Sequence, residues 1–154
     1  MTLVIEAKEL SKHYPSQREN YLALDGVDLE VALGQLHGLV GPDGAGKTTL
    51  LRILATVMEH TSGTVRMDGF DVRKQAEEVC ARLGYMPQAF SLYPDLSVME
   101  NLKFFADING VPGSKQKKRI DELLEFARLK EFTTRRSENL SGGMRKKLAL
   151  ACAL

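Results

Sequence analysis

The residues best suited to chemistry in this sequence stand in one short run, Gly41-Pro42-Asp43-Gly44-Ala45-Gly46-Lys47-Thr48. The run fits the pattern G-x-x-x-x-G-K-[ST], in which backbone N–H groups surround the oxygens of a nucleotide's phosphates. Glycine allows the tight turns and the close approach that such a cradle needs, because it has no Cβ. Lys47 can reach the β- and γ-phosphate oxygens, and Thr48 can place its hydroxyl on Mg²⁺. We call residues 41–49 the phosphate loop.

A second run, Leu140-Ser141-Gly142-Gly143-Met144, has residues suited to a similar task. Ser141 is a candidate N-cap for a helix, and the two glycines after it leave the first N–H groups of that helix open. Such groups attract anions, because they are unpaired and lie at the positive end of the helix dipole. We call residues 140–144 the signature run.

The elements around the phosphate loop fit the order strand, loop and helix that the motif requires. The alternation of Val27, Leu29 and Val31 with acidic residues predicts a half-buried strand. The apolar run Leu36–Val40 predicts a fully buried strand that leads into the loop. A helix should follow the loop, since apolar residues recur at helical spacing at Leu50, Ile53, Leu54 and Val57.

Further along the chain the pattern changes from mixed α/β, up to Gln88, to helical. Residues 64–68 alternate as a strand that should end in a turn at Asp68-Gly69, and Leu83–Met86 predicts another short strand. Ser97 and Glu100 fit a capping box at the start of a helix. The apolar faces of three helices are predicted from Val98, Leu102 and Phe105, from Ile120, Leu123, Leu124 and Ala127, and from Met144, Leu148 and Ala151.

The bulk composition is that of a globular domain. The chain has 154 residues and a net charge of +1, so it has no excess of positive charge with which to hold a nucleic acid. No uninterrupted apolar run approaches the roughly 18 residues that a membrane-spanning helix needs. We therefore expect no nucleic-acid partner, and any membrane association should come through another protein.

With both runs in this order, the whole chain resembles the nucleotide-binding domain of an ATP-binding cassette (ABC) transporter. The signature run is similar to the family's LSGGQ sequence, with Met144 in place of glutamine. The resemblance implies an α/β fold: an incomplete P-loop NTPase core with an antiparallel β part and a helical signature subdomain. Residues 1–88 would belong to the core, and residues 89–154 would form the helical subdomain.

The resemblance also implies roles for single residues. Tyr14 is similar to the aromatic residue that stacks on adenine, and Gln88 to the glutamine that contacts Mg²⁺ and the attacking water. Asp43 stands where the family more often has asparagine. Lys47 and Gln88 would contribute to catalysis, and Thr48 and Gln88 would bind the metal. The predicted ATP-binding residues are Tyr14, Gly41, Pro42, Asp43, Gly44, Ala45, Gly46, Lys47, Thr48, Thr49, Gln88, Ser141, Gly142 and Gly143.

The closest resemblance is to ATPases of multidrug and ABC-2-type exporters. It implies ATP and Mg²⁺ as ligands, and a place on the cytoplasmic face of a bacterial membrane. The implied partners are a transmembrane permease subunit and a second nucleotide-binding domain, paired head to tail. The family's hydrolytic aspartate, glutamate and histidine would fall beyond Leu154. We therefore expect a truncated chain that binds ATP without hydrolysing it efficiently, whereas the intact protein would be an ATPase.

Other classes are compatible with part of the pattern. The phosphate loop alone also admits GTPases, kinases and helicases. Asp107-Ile108-Asn109-Gly110 fits the DxxG of a GTPase, but no NKxD sequence follows it. A soluble ABC ATPase that acts on ribosomes or nucleic acid is a second hypothesis, and a fragment that only binds nucleotide is a third. A glycine-rich turn that happens to carry an exposed lysine is the non-functional alternative.

Overall fold

The computed structural model of the protein describes residues 2–15, 21–89 and 92–154. The chain forms two compact units, Met1–Leu83 and Gly84–Leu154. The functional division predicted after residue 88 stays a prediction. In the part of the chain that is described, no helix combines the length and the apolar character needed to cross a bilayer.

The first unit contains an antiparallel sheet, whose described strands lie in the order β2-β1-β3-β4. Their bounds are Leu3–Tyr14 for β1, Tyr21–Ala32 for β2, Ser62–Met67 for β3 and Phe70–Asp71 for β4. The prediction for β2 is confirmed: Val31 is buried, Val27 and Leu29 are half-buried, and Asp28 and Glu30 are exposed. The alternation arises because successive side chains of a strand point to opposite faces.

A two-residue turn joins β3 to β4 at the predicted position. Met67 pairs with Phe70, so that Asp68 and Gly69 alone form the loop. Both have positive φ, 49° for Asp68 and 82° for Gly69. Two successive positive φ angles define the type I′ turn, whose twist matches that of the flanking strands. The Asp-Gly pair thus sets the register of this hairpin.

Helix α1, Lys47–Leu54, packs on the sheet and completes the core of the first unit. Leu50, Ile53 and Leu54 are buried on its inner face, as predicted. Burying a side chain of this size stabilises the fold by about 1.5–3 kcal/mol. The prediction for Val57 is wrong, because the helix ends at Leu54 and Val57 is 62% exposed. A short helix α2, Ala76–Cys80, buries Val79 against the same core.

Two predicted strands are absent from the structure. Residues 36–40 have no regular secondary structure, and Leu36 and Val40 are almost fully exposed. Residues 83–86 are irregular as well. A buried parallel strand needs neighbours that accept and donate its backbone hydrogen bonds. None of the described strands lies beside either segment, so an apolar sequence was not sufficient to make them strands.

The second unit is helical around its own core. Its helices are α3, Val98–Ile108; α4, Gly113–Ala127; and α5, Gly142–Ala153, with single 3-10 turns at Lys130–Phe132 and Ser137–Asn139. The predicted faces are confirmed. The buried residues of α4 are Ile120, Leu123, Leu124 and Ala127, and they pack with Val98, Leu102, Leu148 and Ala151 while Phe105 and Met144 lie against the cluster.

Asn101 on α3 is the largest buried polar side chain among the described residues, and its bonds hold the segment before the helix. Its amide nitrogen donates to the carbonyls of Tyr93, Leu96 and Ser97, at 3.1, 3.1 and 3.0 Å. Its carbonyl oxygen accepts from the N–H of Tyr93 at 2.9 Å. A buried amide is tolerated because all of these groups are paired.

The capping box predicted at the start of α3 is confirmed. The Ser97 hydroxyl accepts from the N–H of Glu100, and the Glu100 carboxylate accepts from the N–H of Ser97 at 2.8 Å. We expect Ser97→Ala to lower the free energy of unfolding by about 1 kcal/mol, as measured by urea denaturation. Ser114→Ala, at an exposed position of α4, is the control and should change it little. Equal effects of the two would contradict the prediction.

Because of the capping box, the effect of Ser97→Ala on the free energy of unfolding should also depend on pH. The hydroxyl and the N–H of Ser97 hold the pKa of the Glu100 carboxyl below its usual value of 4.5. A lowered pKa in the folded state stabilises the protein above the usual pKa, and this stabilisation is lost as the pH falls through the lowered one. The difference between wild type and Ser97→Ala should therefore shrink in acid. A constant difference from neutral pH down to acid would contradict the coupling.

Candidate functional site

The phosphate loop lies directly on the start of β2, and glycine is what allows it to. Gly44 and Gly46 have positive φ, +82° and +80°. A Cβ on Gly46 would come within 2.4 Å of the Ala23 carbonyl oxygen and 2.7 Å of Leu24 Cδ2. Both distances are far inside van der Waals contact, and a positive φ adds strain to any other residue. The sequence at this point is therefore dictated by the shape of the loop.

The last three residues of the phosphate loop are also the first residues of α1, which begins at Lys47. The N–H of Leu50 donates to the carbonyl of Gly46 at 2.9 Å and begins the helical hydrogen-bond ladder. The N–H groups before it, at the first turn of the helix, have no partner within the helix. Residues 41–45 and Thr48 are exposed, and Gly46, Lys47 and Thr49 are half-buried, so the start of the helix, with the positive end of its dipole, is open to an anion.

The Lys47 side chain folds back over the residues of the phosphate loop that precede it. Its ammonium donates to the carbonyl oxygens of Gly41 at 2.7 Å and Pro42 at 2.6 Å. These two bonds use two of its three N–H donors. Both carbonyls are exposed, so water can replace the lysine there when its donors turn to a stronger acceptor such as a phosphate oxygen. The side chain is placed to bind phosphate and to stabilise the loop without it.

Thr48 and Asp43 are both exposed, and Thr49 is half-buried. Mg²⁺ in nucleotide sites takes only one or two protein oxygens, with phosphate oxygens and water as its other ligands. A single accessible hydroxyl beside a phosphate cradle fits that requirement, and Thr48 supplies one. The arrangement is therefore compatible with the metal role predicted for Thr48.

Tyr14 lies beside the end of the phosphate loop, although it comes from the far end of β1. Its hydroxyl is 3.3 Å from Thr49 Oγ1 and donates to Met58 Sδ at 3.0 Å. The Lys12 ammonium lies 5.4 Å from the centre of its ring. The fold thus brings the predicted adenine-binding aromatic residue next to the predicted phosphate site. Its stacking on a base stays a prediction.

One contact to the loop escaped the sequence analysis. The Tyr21 hydroxyl donates to the carbonyl oxygen of Gly44 at 3.3 Å. Tyr21 is the first residue of β2 and pairs with Tyr14 across the hairpin. The signal for it would have been this pairing, which places both tyrosines on one rung. Several residues separate the two in the sequence, and the register of the hairpin cannot be read from them.

The signature run begins α5 in the second unit. Ser141 is the N-cap, as predicted, and its Oγ accepts from the N–H of Met144 at 3.3 Å. Gly142 and Gly143 are the first two residues of the helix. A Cβ built on either would meet none of the described atoms within 4 Å. The fold of this unit therefore gives no steric reason for either glycine.

Gln88 is exposed in the irregular segment that precedes α3. It belongs to the second unit, as do Ser141, Gly142 and Gly143, whereas Tyr14 and the phosphate loop belong to the first. The predicted role of Gln88 at the metal stays a prediction, as do the phosphate contacts of the signature run.

Comparison with known proteins identifies the family. Residues 24–154 match the family profile described as ABC transporter. The chain is 47% identical over 151 residues to the probable multidrug ABC transporter ATP-binding protein YbhF of Escherichia coli K12. That alignment covers 98% of this chain and 26% of YbhF. It is 40% identical over 154 residues to the Nod factor export ATP-binding protein I of Cupriavidus metallidurans, covering 100% of this chain and 50% of that protein. The chain thus spans between a quarter and half of these relatives.

Solved structures agree with the sequence matches. The dimeric ATP-binding cassette MJ0796, in a post-hydrolysis state with ADP and Pi bound, superposes with a TM-score of 0.85 at 29% sequence identity. The superposition covers 97% of this chain and 68% of that one. The α/β cassette fold predicted from the sequence is confirmed.

Proposed function

This chain belongs to the ABC transporter family, and from that membership we propose that it is the ATP-binding part of an ATPase that drives export across a membrane. The relatives whose names mention multidrug transport or Nod factor export support an exporter rather than a soluble ATPase of ribosomes or nucleic acid. The whole chain is similar to their ATP-binding proteins, and the transported substrate is left open.

The geometry of the phosphate loop is the observation that carries the proposal. Gly46 allows the loop to lie on Ala23 and Leu24, α1 begins directly at this exposed loop, and the Lys47 ammonium is held on the carbonyls of the loop. A turn with only a structural role does not need these three features in combination. A cradle for the β- and γ-phosphates of ATP needs all three, because several negative charges must meet many donors in a small volume.

Each of the predicted site residues would have its own role in binding and hydrolysis of ATP. The loop N–H groups and Lys47 would bind the phosphate oxygens and stabilise the charge that develops during phosphoryl transfer. Tyr14 would stack on the adenine ring. Thr48, and Gln88 from the second unit, would hold Mg²⁺, which supplies further neutralisation of the phosphate charge. Gln88 would also orient the attacking water.

We further propose two partners. A second cassette would pair head to tail with this one, so that the signature run of each covers the ATP held by the other. The dimeric state of MJ0796 supports this arrangement. A transmembrane permease subunit would use the energy, which would place the cassette at the cytoplasmic face of a bacterial membrane. The names of the export relatives support this part of the proposal.

Calorimetric titration of the 154-residue chain with ATP, ADP and AMP tests the function. Each titration is run with Mg²⁺ and again with EDTA, after circular dichroism has shown that the sample is folded. We expect ATP and ADP to bind at least about tenfold more tightly than AMP, because only they place a β-phosphate in the loop. Chelation of Mg²⁺ should weaken ATP binding.

Two results would contradict the proposal. A folded sample that does not bind ATP would show that the loop is a structural turn. Equal affinities for ATP and AMP would show that binding does not depend on the phosphates that the loop is proposed to hold.

A further inference from the structure

Two tyrosines on the last rung of the β1–β2 hairpin reach the same functional loop. Tyr14 and Tyr21 are direct partners in the strand register. Tyr14 contacts Thr49 at the end of the phosphate loop, and Tyr21 contacts Gly44 in its middle. Partners on one rung of an antiparallel pair point to the same face of the sheet. This face of the hairpin is therefore the support on which the phosphate loop is built.

The hairpin contacts both glycines of the phosphate loop that have positive φ, Gly44 and Gly46. Gly46 packs against Ala23 and Leu24 by shape, since any Cβ would collide there. Gly44 has open space around it, with no described atom within 4 Å of a built Cβ. Packing therefore does not fix Gly44. Its peptide is instead held by two hydrogen bonds, from the Tyr21 hydroxyl to the Gly44 carbonyl and from the Ala45 N–H to the Pro42 carbonyl, both at 3.3 Å.

The direction of that carbonyl matters for an anion. A site for phosphate needs N–H groups pointing in and C=O groups pointing out, because a carbonyl oxygen carries partial negative charge. The peptide between Gly44 and Ala45 is planar and trans, so its C=O and N–H point in opposite directions. Tyr21 holds the carbonyl toward β2, and the Ala45 N–H of the same peptide donates to the Pro42 carbonyl oxygen at 3.3 Å, so the Tyr21 bond helps to set the direction of both groups.

We propose that Tyr21 is a positioning residue of the ATP site: its hydroxyl holds the Gly44 carbonyl away from the phosphates and so fixes the peptide that precedes Ala45. This inference rests on the proposed function, because it concerns how the same loop binds ATP. Tyr21 itself does not need to touch the nucleotide.

The hydroxyl is the part of Tyr21 that can be tested separately. The side chain is 55% exposed, so its ring contributes little to the core, and Tyr21→Phe keeps the ring. The lost bond is a neutral one and, at 3.3 Å, longer than the usual O–H···O distance. We therefore expect Tyr21→Phe to weaken binding of ATP, ADP and inorganic tripolyphosphate about two- to tenfold.

Tripolyphosphate separates positioning of the loop from contact with the base. It has no adenine, so a loss that appears equally with this probe and with ATP must arise in the phosphate loop. Tyr93→Phe is the matched control. It removes the same hydroxyl from a half-exposed ring that packs on Phe104 in the second unit, and it should leave all three affinities unchanged.

A spectroscopic readout checks the cause. In ¹H–¹⁵N NMR spectra of the ligand-free protein, Tyr21→Phe should shift the Ala45 amide signal, because the carbonyl that loses its donor belongs to the same peptide group. Tyr93→Phe should not shift it. Thermal unfolding should be nearly the same for both variants, since both side chains are about half exposed, 55% for Tyr21 and 46% for Tyr93.

The outcomes distinguish this inference from the proposed function. Wild type that binds ATP, together with Tyr21→Phe that binds all three ligands as tightly and leaves the Ala45 signal in place, would overturn the inference and leave the function intact. A weaker affinity for ATP with an unchanged affinity for tripolyphosphate would also overturn it, since the effect would then lie at the base. Wild type that binds none of the ligands would overturn the function, and the inference with it.

Discussion

Lys47→Ala is expected to bind ATP about ten- to hundredfold more weakly than the wild-type protein, because the substitution removes a charge-assisted contact to the phosphates. The ammonium is held at the mouth of the phosphate loop by the carbonyls of Gly41 and Pro42. Its reach therefore includes the volume that the β- and γ-phosphates would fill. Calorimetric titration with Mg-ATP measures the loss.

The substitution should leave the fold intact. Lys47 is only half-buried, and the two carbonyls that would lose its ammonium are exposed and can bind water instead. Alanine is also a better helix former than lysine at the start of α1. Circular dichroism and thermal unfolding should therefore be close to those of the wild type, so that a loss of affinity can be assigned to the site.

Lys74→Ala is the matched control for charge. It removes one positive charge from an exposed position in the same unit, between β4 and α2. If general attraction of the polyanion were responsible, both variants would lose affinity to a similar extent, and both losses would fall with salt. Equal affinity of wild type and Lys47→Ala would show that ATP binds elsewhere or not at all.

The parts of the fold that could be predicted are those that local sequence determines. The buried face of α4 and the caps of α3 and α5 follow from spacing within one helix and from single hydroxyl groups. The turn at Asp68-Gly69 follows from two residues that tolerate positive φ. The phosphate loop was found for the same reason, since its pattern lies within eight residues of sequence.

The parts that could not be predicted depend on partners distant in the sequence. Leu36–Val40 has the composition of a buried strand, but the structure describes no strand beside it, and Leu36 and Val40 are exposed while only Leu39 packs against the core. The longest strand that the sequence did not predict is β1, Leu3–Tyr14. Its buried residues Ala7 and Leu10 are three apart, because an irregularity in the strand pairing and a positive φ at Glu9 interrupt the alternation. A period of two cannot be seen in such a strand.

The site shows the same division. Each of the two glycine-containing runs could be read alone, whereas the contacts of Tyr14 and Tyr21 with the phosphate loop arise only when the β1–β2 hairpin is formed. Sequence motifs of this kind predict which ligand the site binds. The side chains that hold the motif in shape are set by tertiary pairing.

The second large effect is expected at the signature run. Gly143→Asp should weaken nucleotide-dependent association of two cassettes about a hundredfold or more, while binding of nucleotide to one cassette stays unchanged. We expect this because the fold of its own unit does not require glycine at position 143: a Cβ there would meet no described atom within 4 Å. Glycine in a helix is also less favourable than alanine by about 1 kcal/mol. A contact with something outside its own unit would explain its presence.

In the proposed head-to-tail pair, that contact is the γ-phosphate held by the partner cassette. Ser141 would offer its hydroxyl, and Gly142 and Gly143 would let the backbone N–H groups approach the phosphate. An aspartate would place a side chain and a negative charge against it, and like charges in an interface cost several kcal/mol. The same aspartate is favourable in the first turn of an isolated helix, because it faces the positive end of the dipole. Loss of association could therefore not be attributed to a damaged α5.

Sedimentation velocity with a non-hydrolysable ATP analogue and Mg²⁺ tests this directly, with Gly113→Asp as the control. Gly113 is the first residue of α4, and a Cβ there likewise meets no described atom within 4 Å, so the chemical change is the same in a comparable place. Wild type and Gly113→Asp should sediment as dimers, and Gly143→Asp as a monomer that still binds the analogue. If wild type stays monomeric at saturating analogue, the proposed pairing is wrong. If Gly143→Asp forms the dimer as well as wild type does, the signature run is only the N-terminal cap of α5, and the surface that covers the second side of the ATP must be sought elsewhere.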